Sequence, residues 1–273
     1  AGSAEAILER ETEKIWETMK DLGVDMSVFD VLSYPNLFHN LKAAIKDACS
    51  GKDNQNLNIY YEDTQISPKE MLEIIKNKEF SRFPENMSGA AREAYETLLH
   101  TGDGQLCDVI IDRAALDAIY AAGEAAKDSI IKEYAESVVA IADIKIAVRS
   151  QKTAKTIEFM KRAMAPCKSI NVEQLSKAAA AGMEAVAEYL SGTAYAEGGQ
   201  AIAESSSAFE RWCDNRMMQA MQPQKYESFS VGPLVAYVLA RENEIKTVRI
   251  ILSGKQNGFS EESIRERVRE MYV

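Results

Sequence analysis

The sequence predicts an all-α protein. Three observations carry that prediction. Ala, Glu, Lys, Leu, Ile and Met dominate, while Pro occurs 6 times and Gly 14 times in 273 residues. Apolar residues recur at the spacing of one helix face, and helix-start grammar recurs along the chain. Strand-like alternation is nearly absent. Its one candidate, Leu57-Asn58-Ile59-Tyr60-Tyr61, is short and reads as an extended connector.

Taken in order, the stretch Ala4–Leu22 places Ile7, Leu8, Ile15, Trp16 and Met19 at helical spacing. Ser67 then supplies an N-cap, Pro68 the first helical position and Glu70 the capping-box partner, with Ile66 and Met71 as a hydrophobic staple. That predicts a short helix over Ser67–Lys78, with a second over Ala90–Leu99. A stretch free of Gly and Pro runs from Ser129 to Lys155 and another from Pro233 to Ser253. Each spans roughly 30–40 Å as a helix. The grammar of Ser67 recurs at Asn171-Val172-Glu173-Gln174, predicting helices over Asn171–Ala181 and Glu184–Leu190. It recurs more weakly at Ser260, where Glu261 and Glu262 suit a helix N-terminus. Loops are expected at 50–54, 101–104, Gly198-Gly199 and 254–258.

Lys and Arg total 32 against 42 Asp and Glu, a net charge of -10. Phosphate neutralisation drives nucleic-acid binding, so this balance disfavours a nucleic-acid partner. The 46% hydrophobic and 27% charged content is that of an ordinary globular protein. No apolar run approaches the roughly 18–20 residues needed to span a bilayer, and no basic-then-apolar leader opens the chain, so secretion is not indicated. Cys49, Cys107, Cys167 and Cys213 lie outside metal-ligand spacing of one another and read as reduced thiols in a cytoplasmic protein. With His39 and His100 as the only histidines, a His-based metal centre or hydrolase is hard to build.

Enzyme motifs are lacking. Ser253-Gly254-Lys255-Gln256 has neither the upstream Gly nor the following Ser or Thr of a phosphate loop and reads as a helix-terminating turn. Gly102-Asp103-Gly104 has no dinucleotide fingerprint. No Glu-x-x-His, His-Glu-x-x-His or Gly-x-Ser-x-Gly occurs. The expectation is no catalytic residues, no cofactor, no metal and no small-molecule substrate.

An internal repeat is the strongest signal. Two apolar residues, an acid and Arg occur as Ile7-Leu8-Glu9-Arg10 and Ile110-Ile111-Asp112-Arg113, and in weaker form as Ala208-Phe209-Glu210-Arg211. A polar-apolar-Lys pattern follows each, as Asn40-Leu41-Lys42, Asp143-Ile144-Lys145 and Asn243-Glu244-Ile245-Lys246. The Arg-to-Lys separations are 32, 32 and 35 positions. The prediction is three similar helical modules, 1–64, 65–168 and 169–273, with a period too long for a regular solenoid. Modules two and three open with two short helices that the first lacks, so the first is expected to be incomplete at its front.

Arg10, Arg113, Arg211, Lys42, Lys145, Lys246 and Arg249 are the candidate contact residues. The simpler expectation is pairing within each module, acid or amide to base. The functional one is a shared concavity that touches a partner. Arg241, Lys246, Arg249, Lys255, Arg265, Arg267 and Arg269 also give the acidic chain a basic end. That end reads as a solvated helix face, with a docking surface as the alternative. Met217, Met218 and Met221 read as adaptable core.

The run Gly232-Pro233-Leu234-Val235-Ala236-Tyr237, continuing through Arg241-Glu242-Asn243-Glu244-Ile245-Lys246 to Ser253-Gly254-Lys255, resembles the C-terminal signature of the C-type subunits of V-type and archaeal-type rotary ATPases, whose eukaryotic relatives are the d-type subunits. Tyr34–Lys46 is similar to the family's earlier signature. The resemblance implies a funnel-like, pseudo-threefold helical protein without an active site. It would sit on the cytoplasmic face of the proteolipid ring and receive the central shaft. Read from the residues alone, a helical scaffold unrelated to ion pumping and an enzyme with an unrecognised Asp/Glu/Lys/Tyr site stay open.

Overall fold

The computed structural model describes residues 2–51, 60–62 and 64–272. Among them the regular elements are all helical and no strand occurs. Of the stretch read as an extended connector, residues 57–59 lie outside the described residues.

Helix α1 (Gly2–Asp21) buries Leu8, Ile15 and Met19, while Ile7 stays 63% exposed. A short 3-10 turn at Met26–Phe29, capped by the Asp25 carboxylate, leads into α2 (Asp30–Ser50). Gly51, at φ 63°, ends α2 in the left-handed region that glycine adopts without strain. Ser67 caps α3 (Pro68–Lys76) by accepting the Glu70 N–H at 3.2 Å. α4 (Glu85–Thr101) starts five residues before the predicted Ala90, because Pro84 sets up its first turn. α5 (Gly104–Ala125), capped by Asp103, and α6 (Ser129–Lys152) form a long antiparallel pair. α7 (Ile157–Ala163), α8 (Val172–Ala181) and α9 (Met183–Ser191) follow, α7 and α8 capped by Thr156 and Asn171. The remaining helices are α10 (Ala196–Glu204), α11 (Ser206–Met221), α12 (Gly232–Gln256) and α13 (Glu261–Arg265).

Two loop expectations fail for one reason. Gly198 and Gly199 lie buried inside α10, not in a loop. A Cβ on Gly198 would stand 2.7 Å from the Trp212 ring, and one on Gly199 would stand 3.3 Å from the Ala187 backbone. Gly254 likewise sits inside α12, where a Cβ would reach 2.7 Å from Ile264 of α13, so the helix runs on to Gln256. These glycines permit close helix contact rather than a turn.

Three apolar clusters organise the packing. One joins α1 and the start of α2 to the α5–α6 corner and to the α11–α12 corner, through Ile15, Phe29, Ile119, Ile131, Met221 and Val238. Met218 lies in this core beside a partly buried Met217. A second packs α3, α4 and α5 on α2, and a third packs α7, α8, α9 and α11 on α6. The helix pairs α2–α5, α6–α11 and α12–α1 are all in contact, so the chain's last long helix lies against its first. All four cysteines are free thiols; Cys107 and Cys213 are buried.

Candidate functional site

The repeated basic residues fall into two sets. The arginines serve their own surroundings. Arg113 bonds Asp117 on α5 at 3.0 Å and donates to the Lys161 and Arg162 carbonyls at the end of α7. Arg211 donates to the Glu266 carbonyl just past α13 at 2.6 Å. Both therefore tie an acid-Arg helix to the short helix after the next long one. Arg10 bonds Glu13 and Glu17 on its own helix.

The lysines reach further than expected. Lys42 on α2 pairs with Asp112 on α5 at 2.8 Å, and Lys46 pairs with Asp108 one turn away at 2.6 Å. Lys145 on α6 pairs with Glu210 on α11 at 2.8 Å. Asp112 and Glu210 are the acids of the next repeat, so pairing within each module does not hold for Lys42 and Lys145. It does hold for Lys246, which meets Asp214 on α11 at 2.5 Å. The bridge from α12 to α1 is made by others: Arg241 to Glu11 at 3.0 Å and Arg249 to Glu5 at 2.5 Å. Ion pairs thus span α2–α5, α6–α11 and α12–α1 in turn.

Shallow clefts open beside these pairs. One of about 400 Å³ lies between α2, α5, α6 and α7 next to Lys42, and one of about 280 Å³ lies between α6, α10 and α11 next to Lys145. A third, of about 550 Å³, lies beside Lys246 and Arg249 and is floored by Ile250, Gly254 and Ile264. The basic end is largely neutralised. Arg265 pairs with Glu261, Arg267 lies over the Phe259 ring, and Arg269 is 8% exposed and bonded to Asp214.

A second repeated feature escaped the sequence reading although its residues stand in the quoted pattern. Asn40, Asp143 and Asn243 are buried on the long helices, and each holds a later segment by its backbone. Asn40 accepts from the Tyr61 N–H and donates to its carbonyl, Asp143 accepts from the Ala165 N–H at 2.9 Å, and Asn243 donates to the Glu270 carbonyl at 2.9 Å. The available signal was a polar residue amid an apolar face just before each repeated Lys.

Titration is unusual at two carboxyls. Burial pushes Asp143 up to about 8 against one backbone hydrogen bond. Glu242 on α12 is exposed, so the desolvation that raises its carboxyl above the ordinary range is offset by solvent, and its charge acts on the buried Tyr134 of α6. Among the described residues no group of three or more His, Cys, Asp or Glu side chains is placed to hold a metal ion. None of their helices is long and apolar enough to cross a membrane.

The sequence profile of the ATP synthase (C/AC39) subunit family matches residues 1–267, nearly the whole chain. The chain belongs to that family. The C-type subunit of the V-type sodium ATPase of Enterococcus hirae is 25% identical to it over 272 residues, covering 98% of this chain and 82% of that protein. No solved structure matches it. The run from Gly232 to Lys255 that carried the resemblance lies in α12, the helix that bears Arg241, Asn243, Lys246 and Arg249.

Proposed function

We propose that this C/AC39 chain is a non-catalytic rotor subunit of a V-type or archaeal-type ATPase. In this reading it sits at the cytoplasmic face of the membrane and couples the central shaft of the ATP-hydrolysing or ATP-synthesising head to the proteolipid ring, for proton or sodium transport. The family match along nearly the whole chain carries the reading. The packing supports it. Torque transmission needs stiffness, and long helices joined through a shared core and successive ion-paired contacts supply it. The three modules, 1–64, 65–168 and 169–273, would then stand around a pseudo-threefold axis like a funnel. The run of contacts α2–α5, α6–α11 and α12–α1 has the order such an arrangement requires.

The test is co-purification. The tagged chain, expressed with the shaft subunits and proteolipid ring of its own organism, is expected to bring down both and to hydrolyse no ATP alone. Failure to retain either partner, or micromolar nucleotide binding by the isolated chain, refutes the reading.

A further inference from the structure

The clefts beside the repeated lysines join into one groove. Arg149 on α6 and Thr153 just past it line both the cleft beside Lys42 and the cleft beside Lys145. Ser206 and Glu210 on α11 carry the second into a further cleft of about 270 Å³. Ile250 and Arg267 carry that one into the cleft beside Lys246. The groove therefore runs unbroken from α2, past the end of α6 and the start of α11, to α13.

Its charge is opposite to that of the chain. Nine Lys and Arg line it against three acids, Asp108, Asp112 and Glu210, whereas the whole chain carries -10. Five of the nine are paired with carboxylates. Among the described residues the other four, Arg149, Lys152, Lys155 and Arg267, form no ion pair. Lys152 donates to the Ser206 hydroxyl at 3.2 Å, Lys155 to the Gln105 side chain at 2.8 Å and Arg267 to the Ser263 hydroxyl at 2.6 Å. Such neutral partners orient a cation and leave its charge uncompensated.

Arg149, Lys152 and Lys155 stand together at the C-terminal end of α6, and the first two are exposed. The helix dipole favours cations there, but it amounts to about half an elementary charge, too little to cancel both. A cluster of like charges of this kind repels itself in the isolated chain and attracts an acidic partner.

The floor narrows what that partner is. Ile146 and Phe159 lie under the first cleft, Val148 and Ile202 under the second, and Ile250 and Ile264 under the last. A small anion would meet one group of cations and leave these floors wet. A protein segment that carries acidic and apolar side chains together meets both.

We infer that this groove is where the chain grips the rotor shaft, and that the gripped segment of the shaft is acidic and docks on Arg149, Lys152 and Lys155. The inference rests on the rotor reading for the partner's identity and on the groove for its place and chemistry.

The experiment measures binding of the purified shaft subunits of the same organism to the immobilised chain. It compares the unmodified chain with a groove variant, Arg149→Glu, Lys152→Glu and Lys155→Glu. The control, Lys69→Glu, Lys76→Glu and Lys78→Glu, makes the same change of net charge at exposed residues on and beside α3, outside the groove. The groove variant is expected to lose affinity about 10–100-fold at low salt, largely through slower association, and the control about 2-fold or less. Raising the salt from about 50 to about 500 mM should weaken the unmodified chain and narrow that gap. If the reversed variant does not fold, Arg149→Gln, Lys152→Gln and Lys155→Gln replace it, with a loss of about 3–10-fold expected. Equal binding by the groove variant and the unmodified chain overturns the inference and leaves the rotor reading standing. So does an oligothymidylate that binds the groove as tightly as the shaft, the mark of a general polyanion site. Absence of shaft binding by the unmodified chain instead refutes the rotor reading, and this inference with it.

Discussion

Asp214 offers the sharpest test of how the C-terminal end is held. A single oxygen of this α11 carboxylate accepts from Lys246 of α12 at 2.5 Å and from Arg269 of the C-terminal segment at 2.7 Å. The two cations are not equivalent. The Arg269 side chain is 7% exposed and that of Lys246 is 45% exposed. Removing the partner of a buried ion costs about 3–5 kcal/mol, whereas an exposed pair is worth about 0–1 kcal/mol. Arg269 keeps one acceptor, the Arg267 carbonyl, and Asp214 is itself partly open to water. Those two facts bring the expected cost of Asp214→Asn down to about 2–3 kcal/mol.

The ranking is more diagnostic than any one value. Arg269→Ala is expected to cost about as much as Asp214→Asn, and Lys246→Ala less than about 1 kcal/mol. The double variant of Asp214→Asn and Arg269→Ala should cost little more than either single change, since both delete one interaction. Urea unfolding at pH 7, followed by far-ultraviolet circular dichroism, measures all four, provided the m-value is constant. The reasoning is refuted if Lys246→Ala matches Asp214→Asn, or if Asp214→Asn lies within about 0.5 kcal/mol of the parent, the usual scatter of surface changes.

Two further expectations follow from the same geometry. A Cβ on Gly123 would stand 2.3 Å from the Ala135 Cβ where α5 crosses α6. Gly123→Ala therefore trades a helix-propensity gain of about 1 kcal/mol against overpacking of about 1–3 kcal/mol, and a net loss of about 1 kcal/mol is expected, relieved by adding Ala135→Gly. A stability gain in urea titration would contradict the close crossing. Glu242, raised above the ordinary 4.5, opposes folding increasingly as pH rises past that value, so Glu242→Gln should stabilise the chain more at pH 8 than at pH 4. Thermal melts at the two pH values check the direction.

Much of the fold was legible because its cues are local. Ser67, Asn171 and Ser260 were read as caps, and each accepts from an N–H of the first helical turn; Asp103 and Thr156 do the same and were not read so. The glycines were misread because a glycine that permits a turn and one that permits a close crossing look alike in sequence. Only the approach of Trp212 to Gly198 and of Ile264 to Gly254 separates them. Ile7 stands at the spacing of the apolar face and is exposed, while its counterpart Ile110 is buried in the core shared by α2, α3, α4 and α5. Periodicity gives the phase of a helix face but not whether a neighbour lies against it.

The pairing of the repeated lysines was hidden for a related reason, and helix geometry resolves it. The buried residues Asn40, Asp143 and Asn243 fix which side of each long helix faces inward. Lys42 and Lys145 come two residues after theirs, about 200° round the helix, whereas Lys246 comes three residues after, about 300° round. That one-residue difference turns Lys246 toward Asp214 of α11 and away from α1. On α12 the 200° direction belongs to Ile245, flanked by Arg241 at about 160° and Arg249 at about 240°. These two make the bridge to Glu11 and Glu5 of α1. Lys46 stands six residues after Asn40 as Arg249 stands six after Asn243, and its partner Asp108 precedes Arg113 by five residues as Glu5 precedes Arg10. The cation that closes each contact is thus set by angular position relative to a buried amide or acid, not by membership of the repeated Lys pattern. A linear motif aligned on lysine finds the right helices and, in the third repeat, the wrong side of one of them.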